Sequence, residues 1–394
     1  MEIIEKNKCT GCEACYNICP KNAINMVEDK EGFLYPQIDE KKCINCGMCK
    51  KICPNNKEME RNEEKSIVLA ASNQDENIRW KSTSGGIFTM LAEKILEQNG
   101  IVYGAMFDSN FKVIHDKIET KEDIKKLRGS KYVQSRIGNI YKNIKQQLND
   151  GKKVLFSGTP CQIAGLKSFL NKDYELLYCV EIFCKGVPSP KIWNSYLEYQ
   201  EKKNKTKIEE IYFRKKTYGF HSTTLSMKFR NGKQYNKGHE SDIMLKLFVN
   251  ELISRPVCYN CNFRGMNRQA DISIGDLWHA DRIIKEYELD ADKGVNIVLI
   301  NTNKGKELFN SLSNIKSFEI TLDKRLEQNA NGKITAILNN PKQNINRNRF
   351  FEEYNKKGLL YALNICAQIT YKDKIKAILK PVLYRTKILN KIKK

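Results

Sequence analysis

Hydrophobic and polar positions alternate between strand-like and helix-like patterns from Ile67 to about residue 205. Short apolar runs such as IVLAAS, IVYGAMF, KKVLFSG and ELLYCVEIF have the length and composition of buried strands. Between them, IFTMLAEKILEQ, YKNIKQQLND, CQIAGLKSFL and KIWNSYLEYQEKK repeat their apolar residues at helical spacing. Because strands that alternate with helices usually pair in parallel, this pattern predicts an α/β domain with a largely parallel sheet.

The pattern changes after about Lys207. LSMKFRNGKQYNK predicts a hairpin that turns at Asn231-Gly232, since this dipeptide favours two-residue turns. ADISIGD and VNIVLIN are predicted strands, NKGKELFNSL is a predicted helix, and the chain from about Arg347 is predicted to be helical. The sheet is therefore expected to be mixed as a whole, with a helical C-terminus.

The first 53 residues contain eight of the fourteen cysteines, in two CxxCxxCxxxCP runs that lie 34 positions apart. In bacterial ferredoxins this spacing binds two 4Fe-4S clusters, and the fourth cysteine of each run crosses to the other cluster. Zinc sites need only two CxxC pairs, and disulfides suit secreted chains, so neither alternative accounts for the spacing. One cluster is expected at Cys9, Cys12, Cys15 and Cys53, and the other at Cys43, Cys46, Cys49 and Cys19.

The polar stretch NNKEMERNEEK separates this cysteine-rich module from the α/β pattern. The predicted fold class is thus α+β and α/β, with a dicluster ferredoxin-like module followed by an α/β domain. The predicted boundaries are 1–58 for the ferredoxin-type domain, 66–205 and 206–365 for the two parts of the core, and 366–394 for a basic tail.

The net charge of +22 is distributed unevenly. Residues 1–60 carry nine Lys against ten Asp and Glu, so the module is near neutral and the rest of the chain is basic. A basic body attracts anionic ligands, but no nucleic-acid-binding motif is visible and no nucleic acid is expected; a lysine-rich solubilising surface is the alternative. Without a signal peptide or an apolar run of about 18 residues, the protein is expected to be cytoplasmic.

The tail combines lysines with a helical apolar stripe. Such a basic amphipathic helix is expected either to contact an anionic membrane surface or to pack on its own domain. A kink is expected at Pro381. The stripe comprises Ile375, Ile378, Leu379, Val382, Leu383, Leu389 and Ile392.

Two polar segments are candidates for binding an anionic cofactor. KSTSGG opens a helix, where free backbone amides, hydroxyls and permissive glycines favour a phosphate or a flavin; an ordinary N-cap is the alternative. RGSKYVQS offers cations and hydroxyls, with a solvated loop as the alternative. The candidate residues are Ser82, Thr83, Ser84, Gly85 and Gly86 in the first segment and Arg128, Ser130, Lys131 and Gln134 in the second.

Four further cysteines are candidates for a third metal site. Cys161 follows a Gly-Thr-Pro turn at the start of a helix, a position that lowers a thiol pKa, and Cys184 follows the next strand. Cys258 and Cys261 form a CxxC pair. Four cysteines suffice for a third cluster, with structural zinc as the competitor, whereas Cys179 inside a strand is interpreted as a core thiol.

Six ordered segments resemble the coenzyme F420 hydrogenase/dehydrogenase beta-subunit family, in the form with an N-terminal dicluster domain. They are STSGG, RGSKYVQS, GTPCQIAGL, CKGVPSP, RPVCYNCNF and DISIGDLW. The resemblance implies a core that binds FAD and one 4Fe-4S cluster and exchanges hydride with F420. It further implies that the ligands of that cluster are Cys161, Cys184, Cys258 and Cys261, and that the Ser-Gly turn and the Gly158, Thr159, Pro160 turn face the flavin.

The expected function is an iron-sulfur flavoprotein oxidoreductase that exchanges electrons with a ferredoxin or partner subunit and acts on a small anionic substrate. Two positions depart from the family: Lys185 stands where His is common, and His279 stands where Gly is common. The first alternative is a non-catalytic electron-transfer subunit, and the second is a zinc-stabilised binding module. The scattered histidines show no metal-binding spacing.

Overall fold

The computed structural model describes residues 2–57, 66–280, 291–322 and 338–386. The strands are β1 (Ile24–Glu28), β2 (Leu34–Ile38), β3 (Ile67–Asn73), β4 (Ile101–Phe107), β5 (Val113–Ile118), β6 (Val154–Gly158), β7 (Leu177–Ile182), β8 (Ile208–Tyr212), β9 (Thr224–Phe229), β10 (Gln234–Gly238), β11 (Ile272–Asp276), β12 (Asn296–Ile300) and β13 (Ile315–Glu319).

The helices of the N-terminal half are α1 (Ala14–Ile18), α2 (Met48–Lys51), α3 (Glu76–Lys81), α4 (Ile87–Leu96), α5 (Ile124–Leu127), α6 (Ile140–Asn149) and α7 (Pro160–Leu170). Those of the C-terminal half are α8 (Pro190–Asn204), α9 (Ile243–Val249), α10 (Asn303–Asn310), α11 (Arg347–Lys357), α12 (Leu359–Cys366) and α13 (Tyr371–Arg385).

The core is built on an eight-stranded sheet with the order β13-β3-β12-β11-β7-β6-β4-β5. Its centre is parallel, because β11, β7, β6 and β4 pair in the same direction. The pairs on both sides of this centre are antiparallel. The prediction of a mixed sheet is confirmed, but the prediction that it is largely parallel is wrong, since β5, β3, β12 and β13 join through antiparallel pairs.

The central strands read as continuous apolar runs because both of their faces are covered. Every residue of β6 and β12 is buried. The helix α7 begins sharply after β6 because Thr159 and Gln162 form a capping box and Pro160 occupies its first position. This turn places the start of α7 at the carboxyl edge of the parallel strands, where open α/β sheets bind ligands.

A second layer combines the antiparallel sheet β10-β9-β8 with helices from the C-terminal half. The predicted hairpin at Asn231-Gly232 is confirmed as the β9–β10 connection. The strands β8 and β13 and the helix α9 escaped prediction. The two strands lie at sheet edges: β8 exposes three of its five residues and β13 buries none of its five, so neither has a continuous apolar run. The core of this layer includes Trp193, Tyr196, Phe213, Phe229 and Phe350.

The cysteine-rich module packs on the core through α1, which contacts α6 and α7. The buried carboxylate of Glu13 accepts the backbone amides of Ile137 and Gly138, each at 3.0 Å. The Asn17 amide donates to the Gly138 carbonyl at 2.8 Å. These contacts hold the module in one orientation against the edge of the core that carries α7.

The described part of the tail is one helix, α13, which continues through Pro381. It is tied to the core by ion pairs between Lys246 and Asp373 at 2.8 Å and between Lys380 and Glu240 at 2.9 Å. Ile378 is 72% exposed, so part of the predicted stripe faces outward. Leu389 and Ile392 lie outside the described residues. Within the described ranges, no helix is both long and apolar enough to cross a bilayer.

Candidate functional site

The structure gathers the eight cysteines of the N-terminal module around two small cavities. The cysteines fall into the two groups expected from the crossing pattern of the sequence, and the proline that follows each run lines one of the cavities. The first set is Cys9, Cys12, Cys15 and Cys53. The second set is Cys19, Cys43, Cys46 and Cys49.

Each set surrounds a cavity rather than a single point. Within the described parts of the chain, no three or more His, Cys, Asp or Glu side chains stand close enough to bind one metal ion. A 4Fe-4S cube places several ions between its four thiolates, so spaced cysteines around a cavity fit a cube better than they fit zinc. Burial raises the pKa of the Cys12 thiol to about 12, so a thiolate at this position needs a bound cation.

The core set consists of Cys161, Cys184, Cys258 and Cys261. Cys161 lies in the first turn of α7, Cys184 follows β7, and the other two belong to the turn after Arg255. The other three cysteines all act electrostatically on Cys161, so the structure brings the four together. The core set therefore joins two neighbouring parallel strands to a loop that lies 74 or more residues further along the chain.

The prediction that the helix start lowers the pKa of Cys161 is wrong. Burial raises the pKa of this thiol well above its ordinary value, because desolvation of the thiolate outweighs the hydrogen bond from Thr159. A protonated thiol is a poor nucleophile. A cation bound by the four grouped cysteines would stabilise the thiolate despite its burial, so the grouping favours the role of a metal ligand over that of a free nucleophile.

A cavity of about 400 Å³ opens beside the core set, and Cys184 belongs to its wall. The cavity lies at the carboxyl edge of the parallel strands, between the eight-stranded sheet and the second layer. Both candidate cofactor-binding segments and the Gly-Thr turn reach it. The sequence-predicted residues that line it are Ser82, Thr83, Ser84, Gly86, Arg128, Ser130, Lys131, Gly158 and Thr159.

Three candidate residues do not line the cavity. A side chain at Gly85 would meet the carbonyl of Ala71 at 2.6 Å, so this glycine allows close packing against the sheet. Pro160 is buried in the first turn of α7. Gln134 points to the cysteine-rich module, where its Nε2 donates to the Thr10 carbonyl at 3.0 Å.

The two candidate cofactor-binding segments contact each other. The Ser130 amide donates to Thr83 Oγ1 at 2.9 Å, and Arg128 Nε donates to Thr89 Oγ1 at 3.0 Å. Gly86 precedes α4 with a φ of 88°, a left-handed conformation that suits glycine. The start of this ten-residue helix and the Arg128 guanidinium thus lie along one wall, where they provide amides and a cation for an anionic group.

Lys131 is a partly buried cation in the same wall. Its Nζ donates to the carbonyls of Leu127 and Gly129, each at 3.1 Å. Desolvation lowers the pKa of Lys131 to about 7, and no carboxylate of the described residues offsets this effect. A bound anion would supply that compensation.

Two residues of the cavity were not predicted from the sequence. His115 Nε2 lies 3.0 Å from the Ser157 carbonyl, so this nitrogen carries the proton and Nδ1 is an acceptor. Arg214 Nη1 donates to Asp276 Oδ2 at 2.8 Å and to the Tyr132 hydroxyl at 3.0 Å. Among the described residues, His115 Nδ1 and Arg214 Nη2 are both buried without a hydrogen-bond partner. The sequence held one signal for His115, because it is the only histidine within the strand-like run FKVIHDKI.

Comparison with sequence families gives two matches in the core and two in the module. The N-terminal and C-terminal models of the coenzyme F420 hydrogenase/dehydrogenase beta subunit match residues 68–142 and residues 151–324, respectively. A 4Fe-4S dicluster domain matches residues 8–57, and a 4Fe-4S single cluster domain of ferredoxin I matches residues 38–81. These matches support iron-sulfur clusters in the module.

Two curated relatives come from Methanocaldococcus jannaschii. A coenzyme F420-dependent sulfite reductase is 25% identical over 325 residues, which cover 79% of this chain and 47% of that protein. The chain thus spans about half the length of this relative. An uncharacterized protein is 25% identical over 377 residues, which cover 85% of this chain and 94% of that protein.

Among solved structures, a chain of the F420-reducing NiFe hydrogenase complex from Methanosarcina barkeri is similar. The similarity has a TM-score of 0.44 and 21% identity, and covers 77% of this chain and 98% of that chain.

Proposed function

We propose that this chain is an iron-sulfur flavoprotein oxidoreductase. It belongs to the coenzyme F420 hydrogenase/dehydrogenase beta-subunit family. It transfers electrons between ferredoxin-type 4Fe-4S clusters and FAD, and on to a small anionic substrate such as F420 or another acceptor. The observation that carries this proposal is that Cys184 belongs both to the core set and to the wall of the cavity. One residue thus joins a candidate cluster site to a candidate flavin site.

The cavity suits a flavin in size and in chemistry. Its volume of about 400 Å³ lies within the range typical of small-molecule sites. The start of α4, Arg128 and Lys131 offer a positive wall for the pyrophosphate. His115 Nδ1 accepts an N–H or O–H group of the ligand, and Arg214 Nη2 donates to a carbonyl or an anionic oxygen.

The residues of the cavity wall have different proposed roles. When bound, the clusters carry single electrons and the flavin couples them to two-electron hydride chemistry. Trp278 and Arg214 stack at 5.1 Å and form one wall of the cavity, while Tyr132 and Asp276 fix the orientation of the guanidinium. Lys185, in the cavity wall and 42% exposed in its side chain, pairs with Glu251 at 2.7 Å, so this carboxylate balances its charge.

The side of the module that carries the second set is proposed to receive the electron carrier. Cys46 is exposed, and the neighbouring Ile44 and Met48 are 57% and 40% exposed. An exposed cluster edge surrounded by apolar side chains suits brief contact with a ferredoxin or with a partner subunit.

Metal and cofactor analysis of the anaerobically reconstituted protein tests this function. The protein is expected to contain about twelve irons, corresponding to three cubes of four, and one FAD. Cys258→Ser should lower the iron content by about four and slow electron transfer from a reduced ferredoxin to the flavin. Cys366→Ser, in α12 and outside all three sets, is the control and should change neither quantity.

Wild-type protein that saturates at two cubes and binds zinc at Cys258 and Cys261 would contradict the third cluster. Protein that takes up all three cubes but no flavin would favour the second candidate, a non-catalytic electron-transfer subunit of a larger redox complex. That candidate draws support from the length of the sulfite reductase relative, of which the matched region is 47%. Reduced F420 added to protein that does contain flavin separates the two further: an enzyme transfers hydride from it to the flavin and bleaches the flavin band without a partner.

A further inference from the structure

A fully buried arginine connects the first set of cysteines to the core set. Arg255 is 0% exposed, and its Nη2 lies 3.6 Å from Cys9 Sγ, at hydrogen-bonding distance for sulfur. Its Nε donates to the Cys9 carbonyl at 2.7 Å. Its own carbonyl accepts the amide of Cys258 at 2.9 Å. One residue therefore contacts a cysteine of each set.

The guanidinium makes its hydrogen bonds to neutral groups. Its remaining donors bond to Gln134 Oε1 and to the Leu34 carbonyl, each at 3.0 Å, and no ion pair of Arg255 occurs in the described ranges. Its planar group lies 4.1 Å from the centre of the Tyr35 ring. The buried Glu13 carboxylate interacts electrostatically with Arg255, but it accepts its hydrogen bonds from the amides of Ile137 and Gly138. The field of the guanidinium therefore acts on Cys9 at hydrogen-bonding distance in a dry environment.

We propose that Arg255 tunes the first cluster: its N–H group hydrogen-bonds to the Cys9 thiolate and raises the reduction potential of the cluster that this thiolate binds. Reduction adds negative charge to a cluster, and a buried cation with an N–H···S bond stabilises the reduced form more than the oxidised form. The proposal rests on the ligand role proposed for Cys9 and does not depend on the flavin.

The guanidinium of Arg255 approaches the first set closely because residue 11 is a glycine. This residue has a φ of 69°, and a side chain there would meet Arg255 Nη1 at 2.7 Å. The second set has no equivalent, because in the described residues the hydrogen bonds to its sulfurs come from backbone amides, among them those of Ala23 and Asn45, and from no arginine. The effect should therefore be confined to one of the two clusters of the module.

Arg347 is a matched control. It is 2% exposed and also joins the module to the core, because it binds the carboxylate of Glu31 and donates to the Ser254 carbonyl at 3.0 Å. Its guanidinium bonds to oxygen atoms in the described part of the chain and to no cysteine sulfur there. Arg347→Lys therefore disturbs the docking of the module to a similar degree without removing a hydrogen bond to sulfur.

The test is an EPR-monitored redox titration of the reconstituted full chain. In Arg255→Gln, the potential of the cluster at the first set should fall by about 59 mV, a tenfold lower ratio of reduced to oxidised cluster at fixed potential for a one-electron couple. Arg255→Lys keeps the cation and should shift it less. The other cluster of the module should keep its potential in both variants, and Arg347→Lys should shift neither.

A second measurement needs no variant. Exchange of wild-type protein into D₂O should shift the Fe–S stretching bands of the first cluster in resonance Raman spectra, because the N–H···S proton is exchangeable. Equal potentials in Arg255→Gln and Arg347→Lys with both cubes present would overturn the inference alone. Absence of a cube at the first set would overturn the ligand assignment together with it.

Discussion

The two cysteine sets of the module have the same spacing but different surroundings. The first set lies against the core: Cys9 and Cys12 are buried, and α7 approaches so closely that a side chain at Gly165 would meet Cys12 Sγ at 3.1 Å. The second set lies at the surface, with Cys46 exposed. Identical motifs therefore provide an inner site that is part of the core packing and an outer site that is open to a partner.

Removing one ligand from each set should give the largest contrast. Cys12→Ala should lose the first cluster, about four irons, and also loosen the module, because Cys12 packs among core residues. Cys46→Ala should lose the second cluster and leave the module docked. Iron analysis and thermal unfolding of both variants measure the two effects, and Cys366→Ser serves as the control.

These two variants also test the assignment of the eight cysteines to two ligand sets. A Cys12→Ala protein that retains two intact clusters in the module would contradict it. Equal losses of thermal stability in the two variants would contradict the distinction between an inner and an outer site.

The ferredoxin module could be predicted in detail because its ligand spacing is local. Eight residues within 53 positions carry the geometry of both sites, and the structure groups them as their spacing implies. The buried strands and long helices of the core were also predictable from their apolar runs. Edge strands such as β13 were not, because their exposed residues carry no alternation that distinguishes them from a loop.

The cavity depended on contacts that sequence reasoning does not reveal. Gln134 was assigned to a cofactor because it follows cationic residues, yet its partner Thr10 lies 124 positions earlier. Arg214 reaches the cavity from a segment without any motif. His279, where the family commonly has Gly, adopts a φ of 57°, so the backbone there has the left-handed form that glycine prefers.

Two lysines of the cavity, Lys131 and Lys185, also differ in their surroundings. Because the pKa of Lys131 is lowered to about 7, it loses its proton between pH 6 and 8. If it binds the FAD pyrophosphate, FAD affinity of the deflavinated protein should fall about tenfold over this interval, following the charged fraction. Fluorescence quenching at the two pH values measures the change.

Lys131→Met and Lys185→Met separate the two lysines. The first should bind FAD weakly with little pH dependence, whereas the second should keep the wild-type pH profile. The linkage to stability has a defined sign: the folded-state pKa lies below the ordinary value of 10.5, so this group makes the folded protein more stable as pH rises from about 7 toward 10.5. A pH-independent affinity in wild type would show that Lys131 does not face the pyrophosphate.

The smallest expected effect is the change in unfolding free energy when one methylene is removed from an isoleucine on each side of the module. Ile52 is 7% exposed and belongs to the same apolar cluster as Cys12, whereas Ile44, beside the second set, is 57% exposed. Ile52→Val should lower the free energy of unfolding by about 1 kcal/mol, since it opens a small cavity where module and core meet. Ile44→Val should change it by less than about 0.5 kcal/mol, because its side chain already contacts water. Anaerobic urea unfolding of the cluster-loaded variants measures both values, and equal losses would mean that the outer site is as tightly packed as the inner one.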